Sequence, residues 1–596
     1  MANFVVIVDP DAERRSLFGE TVKPKLQLVA GLKTSSCSSG DFFAAWAAAG
    51  NAPIDHVADD EGATIVWGRA LRAGSLEEAP ASVLRKAWCV GLEQTPEVFD
   101  GFYAAAVYRQ DGGLTVGTDP LGLFPVYYYD SGDVLLVGTS PELFRFHPSF
   151  RARFNPIGLA AILLTMHSID GETMLSGVRR LKAGYYLYRD RRIQTKEIRH
   201  YSIPVSRRHF DLPFSSQVQA LDQALRKSVA RHAAKNELHI LLLSGGLDSR
   251  ILGGYLRDSG VETVALCLGQ PGDSEVKCAV RVASCLGFDH EVREVDEEQY
   301  SRFAELQAQW EHGTTGFSTI MEWGIHPLFK ASSHYMVGGH VMDTIIGPYL
   351  EHQHFSGPPS FQQFFAFINS HGVQVEKVRK LLRKESFGNA LDDSIDRIRQ
   401  IYEGYSDLES QRAWAFKINH RARFHVGGVL WRHSFGAWPV LPATDRSVLE
   451  CAGGMPAATL AERRAEKDIL CTRFPALAEI PLDRSDSEPL RPRLRWLLKR
   501  QIQWKLGRWG GFIFNGHYRN RHRISYLYDI NGAGWTRVRE AAEPFRKMAY
   551  QFFERDALDE LLPPPNVPVP YKHGIIDVSG IKSVIGFLLW LKDHPC

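Results

Sequence analysis

The hexapeptide Ser-Gly-Gly-Leu-Asp-Ser at residues 244–249 is the stretch of this chain whose residue types and order point most clearly to chemistry. An apolar run precedes it and apolar residues at helical spacing follow it, which predicts a strand, a tight turn and a helix. Glycines in the turn let a ligand approach the backbone, and the free N–H groups of the helix N-terminus attract anions. Asp248 adds a carboxylate, which tolerates a neighbouring phosphate only when a cation such as Mg²⁺ lies between them.

This hexapeptide resembles the pyrophosphate loop of the ATP-pyrophosphatase group, and within it the asparagine synthetase branch. The resemblance implies that ATP transfers AMP to a substrate carboxylate, with Mg²⁺ as the second cofactor and pyrophosphate leaving into the loop. Cys267 and Leu268 end the next predicted strand and are expected to border adenine, although core residues are equally compatible with that pattern. The nucleotide-binding residues predicted in this way are Leu242, Leu243, Ser244, Gly245, Gly246, Leu247, Asp248, Ser249, Cys267, Leu268 and Gly339.

A second stretch, residues 335–349, resembles the other signature of the same family through Gly339, Asp343, Gly347 and Tyr349. The resemblance makes Asp343 a second Mg²⁺ ligand opposite Asp248; a helix N-cap is the alternative role for it.

His340 lies within that signature, where asparagine synthetases have Glu and the related β-lactam-forming enzymes have Tyr. An imidazole with a pKa of ~6.5 is able to take a proton from an ammonium nucleophile, so His340 is the predicted general base or orienting residue, with a purely structural histidine as the alternative. Glu376 is its predicted acidic partner by spacing alone.

In the family that this chain resembles, a lysine in a basic segment stabilises the charge of the intermediate. The corresponding place here has no lysine, and Arg484 is assigned that role, with Lys467 and Arg491 as alternatives.

The first 200 residues are predicted to form antiparallel sheets, because short apolar strands alternate with Gly- and Asp-rich turns. Segments 100–104, 119–128, 138–143 and 181–185 resemble the class II glutamine amidotransferase domain, which implies an αββα sandwich. In that family a cysteine directly after the initiator methionine is the nucleophile, but this chain has Ala2. The domain is therefore predicted not to release ammonia, which leaves an amine of the substrate to attack the acyl-adenylate.

Length, charge and cysteine content predict the compartment, the number of domains and the classes of partner. The chain has 596 residues, a net charge of +2 and eight scattered cysteines, which predicts a cytoplasmic protein of two or three domains that binds neither nucleic acid nor membrane. The predicted division is an amidotransferase-like domain at 1–203, a linker at 204–216 and a doubly wound ATP-pyrophosphatase domain at 217–596, with a basic, aromatic extension from about 491.

These features predict an ATP-dependent, AMP-forming amide ligase of the asparagine synthetase and β-lactam synthetase family, most similar to lasso-peptide macrolactam synthetases. Its substrate would be a precursor peptide whose Asp or Glu side chain is adenylated and then attacked by the peptide's N-terminal amine. A leader-peptide protease and a leader-recognition protein are the expected partners. The alternatives are a β-lactam synthetase-like enzyme acting on a small molecule, an asparagine synthetase fed by free ammonia, and an inactive scaffold.

Overall fold

The computed structural model describes residues 2–89, 96–190, 195–233, 236–329, 335–347, 360–483, 489–492, 523–571 and 574–594. The first domain contains twelve strands among these residues: β1 (Ala2–Val8), β2 (Lys33–Ser39), β3 (Phe42–Ala48), β4 (Ile54–Asp59), β5 (Gly62–Leu71), β6 (Asp100–Arg109), β7 (Leu114–Thr118), β8 (Tyr127–Asp130), β9 (Leu135–Gly138), β10 (Val178–Arg180), β11 (Tyr185–Arg189) and β12 (Lys196–Arg199). Its helices are α1 (Ala12–Val22), α2 (Ala81–Trp88) and α3 (Pro156–Thr165).

The twelve strands form two six-stranded antiparallel sheets, ordered β10-β8-β9-β1-β3-β2 and β12-β11-β7-β6-β5-β4. The sheets face each other, since Phe4 of β1 stacks on Trp67 of β5 with ring centroids 3.8 Å apart. Helix α1 packs against β3 of the first sheet, and α2 packs against β4 and β5 of the second. Each sheet thus buries its inner face on the other sheet and its outer face under a helix, and the predicted αββα sandwich is confirmed.

The second domain contains a parallel sheet of β13 (His239–Leu242), β14 (Thr263–Leu268), β15 (Asp289–Arg293), β16 (Tyr335–Val337) and β17 (Trp438–Val440). Its order is β15-β14-β13-β16-β17, so the chain winds outward from β13 first to one side and then to the other. The predicted doubly wound sheet is therefore confirmed. In such a sheet ligands bind where the winding reverses, beyond the carboxyl ends of the strands, which here means beyond β13 and β16.

Helices account for most of the remaining described chain. They are α4 (Phe214–His232), α5 (Leu247–Asp258), α6 (Ser274–Leu286), α7 (Tyr300–Glu311), α8 (Met342–Ile345), α9 (Phe361–Asn369), α10 (Val375–Leu381), α11 (Lys384–Phe387), α12 (Ala390–Glu403), α13 (Glu409–Lys417), α14 (Gly427–His433), α15 (Arg446–Gly453), α16 (Ala457–Leu460), α17 (Arg464–Arg473), α18 (Pro475–Ala478), α19 (Arg523–Tyr528), α20 (Ala533–Ala542), α21 (Arg546–Ala549), α22 (Arg555–Leu561) and α23 (Gly574–Leu591). A π-helix (Ile418–Val426) joins α13 to α14. Short 3₁₀ helices lie at Lys23–Leu26, Pro141–Phe146, Glu297–Gln299, Ile320–Gly324, His326–Leu328, Pro442–Thr444, Ala461–Arg463 and Glu543–Phe545.

The two domains share one continuous hydrophobic core. Trp438 of β17 donates its indole N–H to the carbonyl of Phe102 in the first domain, at 3.0 Å. Arg231 at the end of α4 forms ion pairs with Asp100 of the first domain, at 2.7 Å, and with Asp445 of the second. The two domains are thus joined by a shared core, a hydrogen bond and ion pairs. In the part of the chain that the structure describes, no helix is long and apolar enough to cross a membrane.

Candidate active site

The glycine loop lies between β13 and α5, at the reversal point of the parallel sheet. Two serine hydroxyls hold it closed: the backbone N–H of Ser244 donates to Ser249 Oγ at 3.0 Å, and the two side-chain oxygens are also 3.0 Å apart. Gly246 is the N-cap of α5 and has no side chain to bond the first-turn N–H groups. Those donors and the positive end of the helix dipole therefore remain available to an anion.

A buried cation lies directly beneath the loop. Arg250 donates to the carbonyl of Gly245 at 3.0 Å and to the carbonyls of Leu477, Ile480 and Pro481 at 2.7–3.0 Å. Its side chain is fully buried, and burial lowers the pKa of its guanidinium to about 10. Arg250 thus ties the loop to the segment after α17 and adds positive charge under the anion site.

The second signature packs against the first. A Cβ on Gly339 would lie 2.7 Å from the Cβ of Asp248, so only glycine lets β16 end this close to the loop. Asp343 follows on α8, where burial raises the pKa of its carboxyl although Arg421 and Lys417 oppose the rise. Burial in turn lowers the pKa of Lys417 to about 8, with Arg421 adding to the shift.

Two residues of a distant segment complete this group. Arg463 donates to Asp248 Oδ1 and, through Nε, to Glu466 Oε2 at 2.9 Å. Glu466 is fully buried, its Oε1 has no hydrogen-bond partner among the described residues, and burial together with the charge of Asp343 raises its pKa. We call Asp248, Asp343, Glu466 and Arg463 the acidic cluster.

The acidic cluster fits a magnesium ion. It offers three carboxylates: Arg463 pairs with those of Asp248 and Glu466, and Arg421 and Lys417 act on that of Asp343. One buried carboxylate oxygen has no donor among the described residues, and carboxylate oxygens are the ligands that Mg²⁺ prefers. A bound Mg²⁺ would favour the ionised forms of Asp343 and Glu466, whose pKa values burial raises.

A cleft of about 230 Å³ opens beside the glycine loop. Eight of the predicted residues line it: Leu242, Leu243, Ser244, Asp248, Ser249, Leu268, Gly339 and His340. Leu266, Glu275, Glu322 and His433 complete the lining. The cleft therefore has an apolar wall at the strand ends, hydroxyls and backbone donors at the loop, and imidazoles with a carboxylate at the far end.

His340 lines the cleft together with His433 and Glu322. The rings of His340 and His433 meet edge to face with centroids 5.3 Å apart. His433 Nε2 lies 2.7 Å from Glu322 Oε2, and both of these side chains are buried. The carboxylate of Glu322 can orient the ring of His433, which in turn packs against the ring of His340.

Two of the predicted residues, Cys267 and Glu376, are not part of the lining of the cleft. Cys267 is buried in the core, where burial raises the pKa of its thiol to about 12. Glu376 is exposed on α10, which packs against α3 and α22 and contributes nothing to the lining of the cleft, so the structure does not bring it to His340. Arg484 lies outside the described residues. His433 contacts the ring of His340 in the cleft, and Glu322 contacts His433.

Comparison with known proteins follows the same division of the chain. Residues 220–476 match the family model of asparagine synthase, and residues 77–202 match that of the glutamine amidotransferase domain. The second domain is therefore asparagine synthase-like, and the first is glutamine amidotransferase-like.

Two solved structures resemble about half of this asparagine synthetase-like chain. Glutamine phosphoribosylpyrophosphate amidotransferase from B. subtilis, complexed with ADP and GMP, is 11% identical over 49% of this chain and 65% of its own, with a TM-score of 0.22. This chain thus covers just under two thirds of that enzyme's length. The allosteric regulatory enzyme of purine biosynthesis is 12% identical over 49% of this chain and 80% of its own, with a TM-score of 0.23. No curated protein sequence matches the chain.

Proposed function

We propose that this asparagine synthetase-like ligase activates an Asp or Glu side chain of a precursor peptide by adenylation. The carboxylate attacks the α-phosphorus of ATP, the bond to the bridging oxygen breaks, and pyrophosphate leaves. The peptide's own N-terminal amine then attacks the acyl-adenylate, AMP leaves, and a lasso-type macrolactam ring closes. A leader-peptide protease and a leader-recognition protein would act on the same precursor.

The observation that carries this proposal is the composition of the cleft. The glycine loop at Ser244–Ser249 and the imidazole of His340 line one cavity, so a phosphate-binding site and a base open onto the same space. Adenylation needs the first of these, and deprotonation of an attacking ammonium needs the second.

Within that cleft the chain's own residues would divide the work. The backbone of the loop would bind the departing pyrophosphate, with Arg250 adding positive charge beneath it. Asp248 and Asp343, with Glu466 beside them, would hold Mg²⁺, whose charge would offset that of the phosphates. His340 takes the proton of the amine, with His433 and Glu322 orienting the ring. The residues given these roles line the cleft, contact a residue that lines it, or belong to the acidic cluster.

The first domain supports a nucleophile supplied by the substrate. No cysteine lies in β1, and Cys37 on β2 has a thiol whose pKa is raised by burial, the opposite of what a nucleophile requires. Without glutamine-derived ammonia, an amine already present in the peptide is the available partner for the acyl-adenylate.

The test is ATP–pyrophosphate exchange with a synthetic precursor peptide, followed by mass spectrometry of the product. The proposal expects exchange that depends on the peptide's acidic side chain, and a product lighter than the peptide by one water. A peptide with an acetylated N-terminus is the matched control, because it should support exchange but not ring closure. Formation of ADP and phosphate, or activity on aspartate with ammonia or on a small amino acid in place of the peptide, would overturn the proposal.

A further inference from the structure

Two consecutive residues beside the acidic cluster adopt a backbone conformation that L-amino acids avoid. Glu462 has φ 52° and ψ 23°, and Arg463 has φ 60° and ψ 32°, both in the left-handed region. Each non-glycine residue there costs about 1–2 kcal/mol. Such strain persists where surrounding contacts hold it, and it often marks a functional site.

Contacts of the guanidinium explain what holds this strained pair. Arg463 Nη2 binds Asp248 and also lies 2.6 Å from Glu466 Oε2, while its Nε donates to the same oxygen of Glu466. The side chain of Arg463 is 17% exposed, so it is largely withdrawn from water, and it contacts Asp248, which lines the cleft. Gly347 makes room for this group, because a Cβ there would collide with Glu466 Oε1.

Arg463 therefore binds the carboxylate that is expected to bind Mg²⁺. One oxygen of Asp248 cannot serve both cations fully, so a metal ion and the guanidinium compete for it. A guanidinium also has the planar fork of N–H donors that suits phosphate oxygens. The guanidinium of Arg463 lies next to the glycine loop, because it contacts Asp248, which belongs both to that loop and to the acidic cluster.

We propose that Arg463 is an exchangeable cation of this site. In the free enzyme it neutralises Asp248. When ATP enters with Mg²⁺, it releases Asp248 to the metal and donates to the phosphates, where it stabilises the charge that accumulates on pyrophosphate as the bond to the α-phosphorus breaks. This inference rests on the proposed adenylation chemistry, and it gives Arg463 the role that the sequence assigned to Arg484.

Binding measurements without turnover test the exchange. Mn²⁺, used as a spectroscopic substitute for Mg²⁺, is titrated into the nucleotide-free enzyme and followed by electron paramagnetic resonance. Arg463→Gln should bind Mn²⁺ about 5- to 10-fold more tightly than the wild type, because Asp248 is no longer neutralised. Calorimetry with inorganic pyrophosphate and Mg²⁺ should show the reverse: Arg463→Gln should bind pyrophosphate at least ~10-fold more weakly.

Three variants keep this test interpretable. Arg464→Gln changes the adjacent arginine, which lies over the ring of Phe214 instead of in the cluster, and should change neither affinity. Arg463→Lys retains a positive charge and should fall between wild type and Arg463→Gln in both titrations, which also serves if the glutamine variant folds poorly. Asp248→Asn combined with Arg463→Gln should lose the tighter Mn²⁺ binding.

If Arg463→Gln leaves Mn²⁺ affinity unchanged or weakens it, Arg463 does not compete with the metal and the inference is wrong. Unchanged pyrophosphate affinity would equally remove its role at the phosphates. Failure of the proposed function looks different: the wild-type enzyme would then show no peptide-dependent exchange, while the metal and pyrophosphate titrations of Arg463 variants would still give their own answer.

Discussion

Two buried groups of side chains in this molecule contain the residue types that bind metals, yet their charges are balanced in opposite ways. One is the acidic cluster beside the glycine loop. The other, which we call the Glu142 cluster, joins Glu142, His312 and His594, whose ligand atoms all lie within 4.8 Å of one another. Comparing them shows why residue type and distance alone do not identify a metal site.

In the Glu142 cluster, the hydrogen bonds fix where the protons are. Trp590 donates its indole N–H to His312 Nδ1 at 2.9 Å, so the proton of a neutral His312 is on Nε2, facing Glu142 Oε2 at 3.6 Å. A metal at that position would need a lone pair where His312 carries a hydrogen. Arg145 adds two contacts to the carboxylate at 2.9 and 3.2 Å, and the pKa of Glu142 is held well below its usual range by these partners despite its burial.

The Glu142 cluster is therefore a structural contact, held together by hydrogen bonds and ion pairs within the protein. It connects a 3₁₀ helix of the first domain, the residue after α7 and the end of the chain after α23. In the acidic cluster the neighbouring cations do not offset burial, which raises the pKa values of Asp343 and Glu466. A cluster that already satisfies its charges supports the fold, and one that does not is suited to receive a ligand.

Removing Asp248 should have the largest effect on activity and little on stability. Asp248→Ala leaves Arg463 paired with Glu466, so the melting temperature should change little. ATP–pyrophosphate exchange should fall about 10³-fold, because the metal ion loses a carboxylate ligand and the charge that develops on pyrophosphate is less well stabilised.

Asp258→Ala is the matched control on the same helix, since Asp258 pairs with Arg473 at the far end of α5. It should keep full exchange. Full exchange in Asp248→Ala, or a clear loss of stability, would place Asp248 with the residues that hold the fold and remove the contrast between the two clusters.

His340→Asn should separate the two half-reactions. The variant keeps the phosphate loop, so exchange should remain near the wild-type rate, while ring closure should slow by at least ~10²-fold because the amine lacks its base. Rapid-quench measurement of AMP against cyclised peptide separates the steps. Glu322→Gln, whose carboxylate contacts His433, should show a smaller loss of ring closure. Equal loss of exchange and closure in His340→Asn would mean that the histidine binds ATP and is not the base.

How far the sequence predicts this site depends on how local each part is. The glycine loop was predicted with its strand and helix, and β13 and α5 confirm that arrangement, because apolar periodicity and turn chemistry act within a few residues. Strands β2 and β3 were not predicted: the first is mostly serine and lysine, and the alanine-rich second is buried along its whole length.

Contacts across long stretches of chain were beyond sequence reasoning. Arg463 reaches Asp248 from 215 residues away, and Glu322 meets His433 across 111 residues. Spacing suggested Glu376 for the acidic partner of His340, but α10 carries that residue to an exposed face. Only the folded sheet, which brings the ends of β13 and β16 together, decides which charged residues share the cleft.

Replacing Glu142 should affect stability and leave the chemistry intact, the reverse of Asp248→Ala. Glu142→Gln removes the charge that binds Arg145 and faces two imidazoles, at a cost of about 2 kcal/mol in the free energy of unfolding. Since the folded pKa of Glu142 lies below its unfolded value, this contribution should be complete above about pH 5 and fade as the pH falls toward the folded pKa.

Denaturant unfolding of wild type and variant across that pH range measures the difference. Glu172→Gln is the control, because Glu172 forms a partly exposed ion pair with Arg179 and should cost less than about 1 kcal/mol. A stability difference that persists unchanged in acid would show that the carboxylate charge is not what holds the Glu142 cluster together.

The smallest expected effect concerns the strained residue next to the acidic cluster. Asparagine adopts the left-handed conformation more readily than other non-glycine residues, so Glu462→Asn should raise the free energy of unfolding by a few tenths of a kcal/mol, up to about 1 kcal/mol. Glu13→Asn, at an exposed position in the first turn of α1, should instead lose a few tenths of a kcal/mol, since glutamate favours the helix and its dipole there. Thermal unfolding of both variants beside the wild type shows whether each substitution raises or lowers stability.

Because the side chain of Glu462 is exposed, Arg463 should stay on Asp248 in Glu462→Asn and Mn²⁺ affinity should not change. A stabilised variant with altered Mn²⁺ affinity would instead mean that the strain itself holds the guanidinium in place, and that the acidic cluster is balanced through the backbone as well as through its charges.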